Sequence, residues 1–111
     1  MSSDYEIINE LDAATLEQDV LSLRDTFDIL VEECAEVIQA ASKAKRFGLI
    51  DEWEGVTNRQ KLETEIGDLL CLIGILIDNK VIDHDAVEIA KFKKYLKMQT
   101  WAPTVAKYFK G

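Results

Sequence analysis

Apolar residues recur along this chain at spacings of three and four, the repeat of an amphipathic α-helix. Leu16, Val20 and Leu23 share one side of a short helix over Ala13 to Leu23. Asp25 or Thr26 is placed to cap a second, long helix that runs to about Phe47, where Gly48 stops it. The stretch "GLIDEWEGVTN" breaks the pattern and reads as a loop. Asn58 is placed to cap a third helix ending near Asn79, and Asp83 a fourth ending near Met98. Residues 1–12 read as a loosely held arm and residues 99–111, with Pro103, as a tail. The expectation is a single all-α domain over residues 1–111, a helical bundle with its core in residues 26–98 and two long helices carrying it.

Composition narrows the partners. The chain has 111 residues, 48% of them hydrophobic and 31% charged, which fits a globular domain with one modest core. Its net charge of −8 argues against a nucleic-acid backbone as the main partner. A small anion bridged by metal ions remains compatible with that charge. Residues 1–11 carry Asp4, Glu6 and Glu10 and no basic residue, unlike a secretory signal. No run reaches the ~18 apolar residues that span a bilayer. The expected location is the cytoplasm, where Cys34 and Cys71 would stay reduced and pack as small apolar residues of the core.

The carboxylates do not follow the solvent-facing pattern. Glu32, Glu33 and Glu36 crowd within five positions of the second helix. With about 100° per residue and Glu36 at zero, Glu32 falls at about −40° and Glu33 at about +60°. Phe27, Leu30, Cys34, Val37, Ile38 and Ala41 cover about +100° to +200°, so the glutamates border that stripe. On this segment alone, a solvated acidic face is the better reading, because charge runs on helices are common. The third helix changes the balance. Leu62, Leu69, Leu72 and Leu76 all lie within about 60° of Glu65, and Asp68 sits one turn on. A buried, unpaired carboxylate is destabilising by several kcal/mol, so a position without a use for charge would carry leucine or alanine. Glu33 with Glu36, and Glu65 with Asp68, are each spaced i, i+3. If the two helices pack antiparallel, four carboxylates converge, a donor set suited to Mg²⁺ or Mn²⁺.

Glu32-Glu33-x-x-Glu36, then 28 residues, then Glu65-x-x-Asp68, resembles the EExxE…ExxD signature of the MazG-like all-α nucleoside triphosphate pyrophosphohydrolases. The flanking "EECAEVIQAASKAKRFG" and "LETEIGDLLCLIGILI" are similar to the small single-domain members found in phages and bacteria, and the likeness covers roughly residues 26–98. The resemblance implies hydrolysis of a nucleoside triphosphate to the monophosphate and pyrophosphate with Mg²⁺. It implies Glu33, Glu36, Glu65 and Asp68 as metal ligands. Glu32 matches the first glutamate, which holds the attacking water or orients a ligand. For a phage-encoded member the location is the host cytoplasm.

The substrate is itself an anion of about four charges, so cations are needed beside the metal. Lys43 and Arg46 lie at about −20° and −80°, in or beside the sector of the glutamates and two to three turns along. Lys91 and Lys94 of "AKFKKYLK" are further candidates, each with the solvated surface lysine as its competing reading. Trp53 and Trp101 offer rings for stacking on a base, or for packing. Many relatives have an asparagine where aligning Lys91-Phe92 puts Ile89, so the resemblance carries over the metal chemistry but not the recognition of base and sugar. His84, between Asp83 and Asp85, reads as a surface histidine.

Three other readings compete. Phosphoribosyl-ATP pyrophosphohydrolase has the same chemistry, but "VIQAASKAKRFG" resembles it less. A di-iron bundle needs Glu-x-x-His pairs, and His84 is not at i+3 from a glutamate. A non-catalytic helical interaction module would not need Glu65 in an apolar stripe. The third helix is apolar nearly all round, from Ile66 to Ile77, with Gly67 and Gly74 sharing another face. Such a helix belongs inside a bundle larger than one chain supplies. The expectation is a homodimer or homotetramer with this helix in the contact, as the resemblance also implies.

Overall fold

The computed structural model describes the backbone of residues 13–108 and the side chains of residues 23–108. The expected arm over residues 1–12 lies outside the described residues, as does the end of the tail at 109–111. Helix α1 runs Ala13–Phe47, strands β1 (Glu52–Trp53) and β2 (Val56–Thr57) form a small hairpin, and α2 runs Asn58–Asp78. Helix α3 runs His84–Trp101 and the short α4 runs Pro103–Ala106. The architecture is all-α, and among the described residues no helix is long and apolar enough to cross a membrane.

The two helices expected before Gly48 are one helix of 35 residues. Asp25 and Thr26 have the chemistry of caps, but no glycine or proline stands near them to stop the helix arriving from Ala13. The backbone hydrogen-bond ladder simply continues. Gly48 does end α1: its φ is +89° and its N–H donates to the Ala44 carbonyl at 2.9 Å.

The loop is more ordered than its composition suggests. Glu52 pairs with Thr57 and Trp53 with Val56, antiparallel. Glu54 and Gly55 between them have φ of 51° and 80°, the two positive values of a type I′ turn. Thr57, not Asn58, caps α2. Its hydroxyl accepts from the Gln60 N–H at 3.1 Å, and the Gln60 side chain accepts from the Thr57 N–H at 2.9 Å, a complete capping box. Asn58 has another task. Buried to 9% exposure, its side-chain amide donates to the Gly48 carbonyl at 2.8 Å and ties the start of α2 to the end of α1.

With that end pinned, α2 turns back along α1. Gly48 neighbours Asn58, while Glu33 meets Glu65 and Asp68, so the contacts step backward along one helix as they advance along the other. The pair is therefore antiparallel. On α1 the more covered residues are Leu23, Thr26, Leu30, Glu33, Val37, Ala40 and Ala44. On α2 they include Asn58, Leu62, Glu65, Leu69, Leu72 and Leu76. Both series alternate steps of three and four, which keeps a single seam between two helices. The stripe through Phe27, Cys34, Ile38 and Ala41 faces away from this seam and is exposed. Cys34 and Cys71, expected in the core, are both exposed for the same reason.

Helix α2 ends in a Schellman arrangement in which the Val81 N–H donates to the Leu76 carbonyl and the Lys80 N–H to that of Ile77. Lys80 takes the left-handed position there, with φ of 59°. Asp83 caps α3 as expected, accepting from the Ala86 N–H at 2.9 Å. Helix α3 continues past Met98 to Trp101, and Pro103 opens α4 where its missing N–H does no harm. None of the α3 residues is buried.

Candidate functional site

The seam that packs α1 on α2 carries carboxylates at two of its apolar positions. Glu33 takes the place between Leu30 and Val37, and Glu65 the place between Leu62 and Leu69. Since the helices run antiparallel from the Asn58 tether, these two positions face each other. Asp68, one turn beyond Glu65, joins them at the exposed rim. One carboxylate oxygen from each of Glu33, Glu65 and Asp68 lies within 4.8 Å of the others. Of the expected four ligands, the structure brings these three together. Glu36 stands exposed beside them, close enough for its charge to act on Glu33. Glu32 is also exposed, and its charge acts on Glu33 too.

The electrostatics of this cluster are unbalanced. Glu65 is only 5% exposed. The Oε2 atom of Glu33 is buried and has no hydrogen-bond partner among the described residues. Burial, followed by repulsion from Asp68, Glu65, Glu36 and Glu32, pushes the Glu33 carboxyl above the ordinary carboxylate range. Among the described residues one cation pairs with the cluster. Lys61 Nζ lies 2.7 Å from Glu65 Oε1, and this bond holds the lysine above its ordinary value, with help from the charges of Glu36 and Asp68. Lys61 was not among the sequence candidates. Its signal was there, a lysine one turn before the glutamate that the apolar pattern places inside.

The donor set fits a hard divalent cation. It offers oxygen only, and it includes a buried oxygen that no described residue satisfies. Neighbouring oxygens around an octahedral Mg²⁺ stand about 3 Å apart, so oxygens that lie within 4.8 Å of one another would have to draw closer around the ion. Asp68 is exposed and free to supply that by rotating its side chain.

The expected substrate-binding residues lie farther out. Lys43 and Arg46 line a shallow depression on the outer side of α1 with Ile38, Gln39, Ser42 and Phe47. The Arg46 guanidinium also sits 5.8 Å from the centre of the Phe47 ring. Lys91 pairs with Glu88 at 3.3 Å, and Lys94 lies 4.7 Å over the Trp101 ring, so both make their close contacts within α3. Trp53 projects from the hairpin at 74% exposure. His84 is exposed, with Nδ1 at 3.1 Å from Asp85.

The family model for the MazG nucleotide pyrophosphohydrolase domain matches residues 21–105. The matched span takes in the hairpin, α2, α3 and most of α1, and with them Glu32, Glu33, Glu36, Glu65 and Asp68. No curated protein and no solved structure matches the chain.

Proposed function

The chain belongs to the MazG nucleotide pyrophosphohydrolase family, and from that membership we propose that it hydrolyses a nucleoside triphosphate to the monophosphate and pyrophosphate, with Mg²⁺ as cofactor and Mn²⁺ as a substitute. The observation that carries this reading is the buried Glu65 facing Glu33, whose Oε2 has no partner among the described residues, with Asp68 at the rim. Stability alone gives no reason to keep two carboxylates in an interhelical seam.

In this reading Glu33, Glu36, Glu65 and Asp68 hold the cation. When bound, Mg²⁺ neutralises phosphate oxygens and the charge that develops on the leaving pyrophosphate. The chain's own share is preorganisation. Glu33 and Glu65 are mounted on two packed helices that are pinned by the Asn58 amide, so little rearrangement is needed at the moment of reaction. Glu32, exposed next to Glu33, accepts a hydrogen bond from the attacking water and orients it. Lys43 and Arg46 on α1, and Lys91 and Lys94 on α3, supply positive charge for the phosphates. Trp53 offers an exposed ring face to the base. A panel of ordinary and damaged nucleoside triphosphates, incubated with Mg²⁺ and scored for pyrophosphate, tests the reading. No release from any of them rejects it.

The active form is a homo-oligomer, at least a dimer. Among the described residues the buried apolar side chains are only Ala40, Leu76 and Ala106. Meanwhile Val31, Ile38, Leu70, Ile89, Phe92 and Trp101 are each more than half exposed. A Cβ added at Gly67 or Gly74 would meet nothing within 4 Å, so that face of α2 is open to a close approach. A second copy gives these surfaces a partner of matching character. Sedimentation equilibrium at micromolar concentration should show a dimer or tetramer, and a 12.6 kDa monomer that hydrolyses substrate would refute the claim.

A further inference from the structure

We propose that Lys61 is a built-in counter-ion of the carboxylate cluster: its ammonium holds the cluster together while no divalent cation is bound, and it competes with that cation for Glu65. The proposal rests on the cation-binding reading above. Lys61 and Glu65 are one turn apart on the same face of α2, and their 2.7 Å contact is a short charge-assisted hydrogen bond. Among the described residues no other ammonium or guanidinium forms an ion pair with a carboxylate of the cluster. The two partners differ sharply in exposure, 53% for the lysine side chain against 7% for the glutamate. The lysine thus reaches in from solvent on a flexible stem. It can leave without opening a cavity, while Glu65 stays fixed in the seam.

A single positive charge among Glu33, Glu36, Glu65 and Asp68 cannot neutralise them, so room for a divalent cation remains. The ammonium nevertheless acts against that cation. At a separation of about 5 Å, even water-like screening makes the repulsion between a single and a double charge worth about tenfold in affinity, and weaker screening makes it more. Lys61 therefore sets a threshold. The site fills where the divalent cation is abundant, and at lower concentrations it stays closed by its own lysine.

The test uses metal-stripped full-length protein titrated with Mn²⁺ by calorimetry, together with melting curves in chelator. K61M, which keeps the length of the stem and removes the charge, should bind Mn²⁺ about tenfold more tightly or better and melt lower than the parent in chelator. K61R should keep the parental affinity to within about threefold. R59M is the control for a lost positive charge on the same helix, because Arg59 is bridged to Glu63 at 3.9 Å and not to the cluster. It should leave Mn²⁺ affinity unchanged. If K61M does not fold in chelator, K61Q carries the same expectation. Unchanged or weaker binding in the charge-free variant overturns the proposal, weaker binding meaning that the lysine orients Glu65 as a ligand instead. A parental chain that binds no Mn²⁺ overturns both this proposal and the functional reading beneath it. A parent that binds while K61M binds no more tightly overturns this proposal alone.

Discussion

Glu65→Leu separates what the seam needs for stability from what it needs for chemistry. Glu65 is 5% exposed and lies between Leu62 and Leu69 on the covered face of α2. Burying a leucine side chain there contributes about 1.5–3 kcal/mol. Against this stands the lost ion pair with Lys61, whose side chain is 53% exposed. A pair so open to solvent is worth up to about 1 kcal/mol. Relief of repulsion on Glu33 and Asp68 acts in the same direction as the gain. The net is a stabilisation of about 1–2 kcal/mol in chelator, or a rise in melting temperature of about 4–8 °C for a domain of this size. Mg²⁺ should then reverse the order. At a concentration about 100 times its dissociation constant, a cation bound only by the folded parent adds about 2.7 kcal/mol, and the leucine variant forgoes most of that. The assay is a pair of melting curves, with chelator and with Mg²⁺, run beside pyrophosphate release. A variant that melts several degrees below the parent in chelator would show that the carboxylate is a structural element held by Lys61. A variant that keeps the Mg²⁺-dependent rise would remove Glu65 from the ligand set.

Glu36→Ala or Asp68→Ala should each remove most turnover while the helical circular dichroism stays parental, because both side chains are exposed and carry no packing; near-parental turnover at saturating Mg²⁺ takes that residue out of the site. The Glu33 carboxyl is pushed upward in the folded chain, so between its ordinary and its raised value the folded state holds a proton that the unfolded state releases. Metal-free stability should therefore increase as pH is lowered from neutrality towards the ordinary carboxylate range, cation binding should weaken over the same range, and Glu33→Gln should flatten both trends; an identical pH slope in that variant contradicts the assignment. Lys80 occupies the left-handed position of the α2 Schellman motif at φ 59°, so Lys80→Gly should raise stability by about 1 kcal/mol, read as about 4 °C in melting temperature; no gain means the helix end relaxes without it.

Much of this arrangement was legible in the residues, and the failures have physical causes. Gly48 and Asp83 mark helix boundaries because each has a conformation or a side-chain acceptor that the boundary requires. Glu65 among leucines announced a buried carboxylate, and it is one. The expected break near Asp25 failed because a residue able to cap a helix does not oblige one to start. Asn58 lost the cap to Thr57 because the Thr57–Gln60 pair closes a reciprocal box, and the asparagine amide found a better use at the Gly48 carbonyl. The face of α1 was the harder matter. It has two apolar stripes, one through Phe27, Cys34 and Ile38 and one through Leu30, Val37, Ala40 and Ala44. Periodicity cannot choose between them. The packing of α1 on α2 uses the second, where alanines allow close packing and where Glu33 meets Glu65. Lys61 was missed because a surface lysine at helix spacing is commonplace, and only the burial of its partner gives it meaning.

The central claim, that this carboxylate cluster serves the cleavage of a nucleoside triphosphate to monophosphate and pyrophosphate, is tested most directly by phosphorus NMR of the products from one triphosphate. The expected products are monophosphate and pyrophosphate in equal amounts with Mg²⁺, with no turnover in chelator and no orthophosphate. Orthophosphate with the diphosphate as first products, or hydrolysis that continues undiminished in chelator, would contradict it.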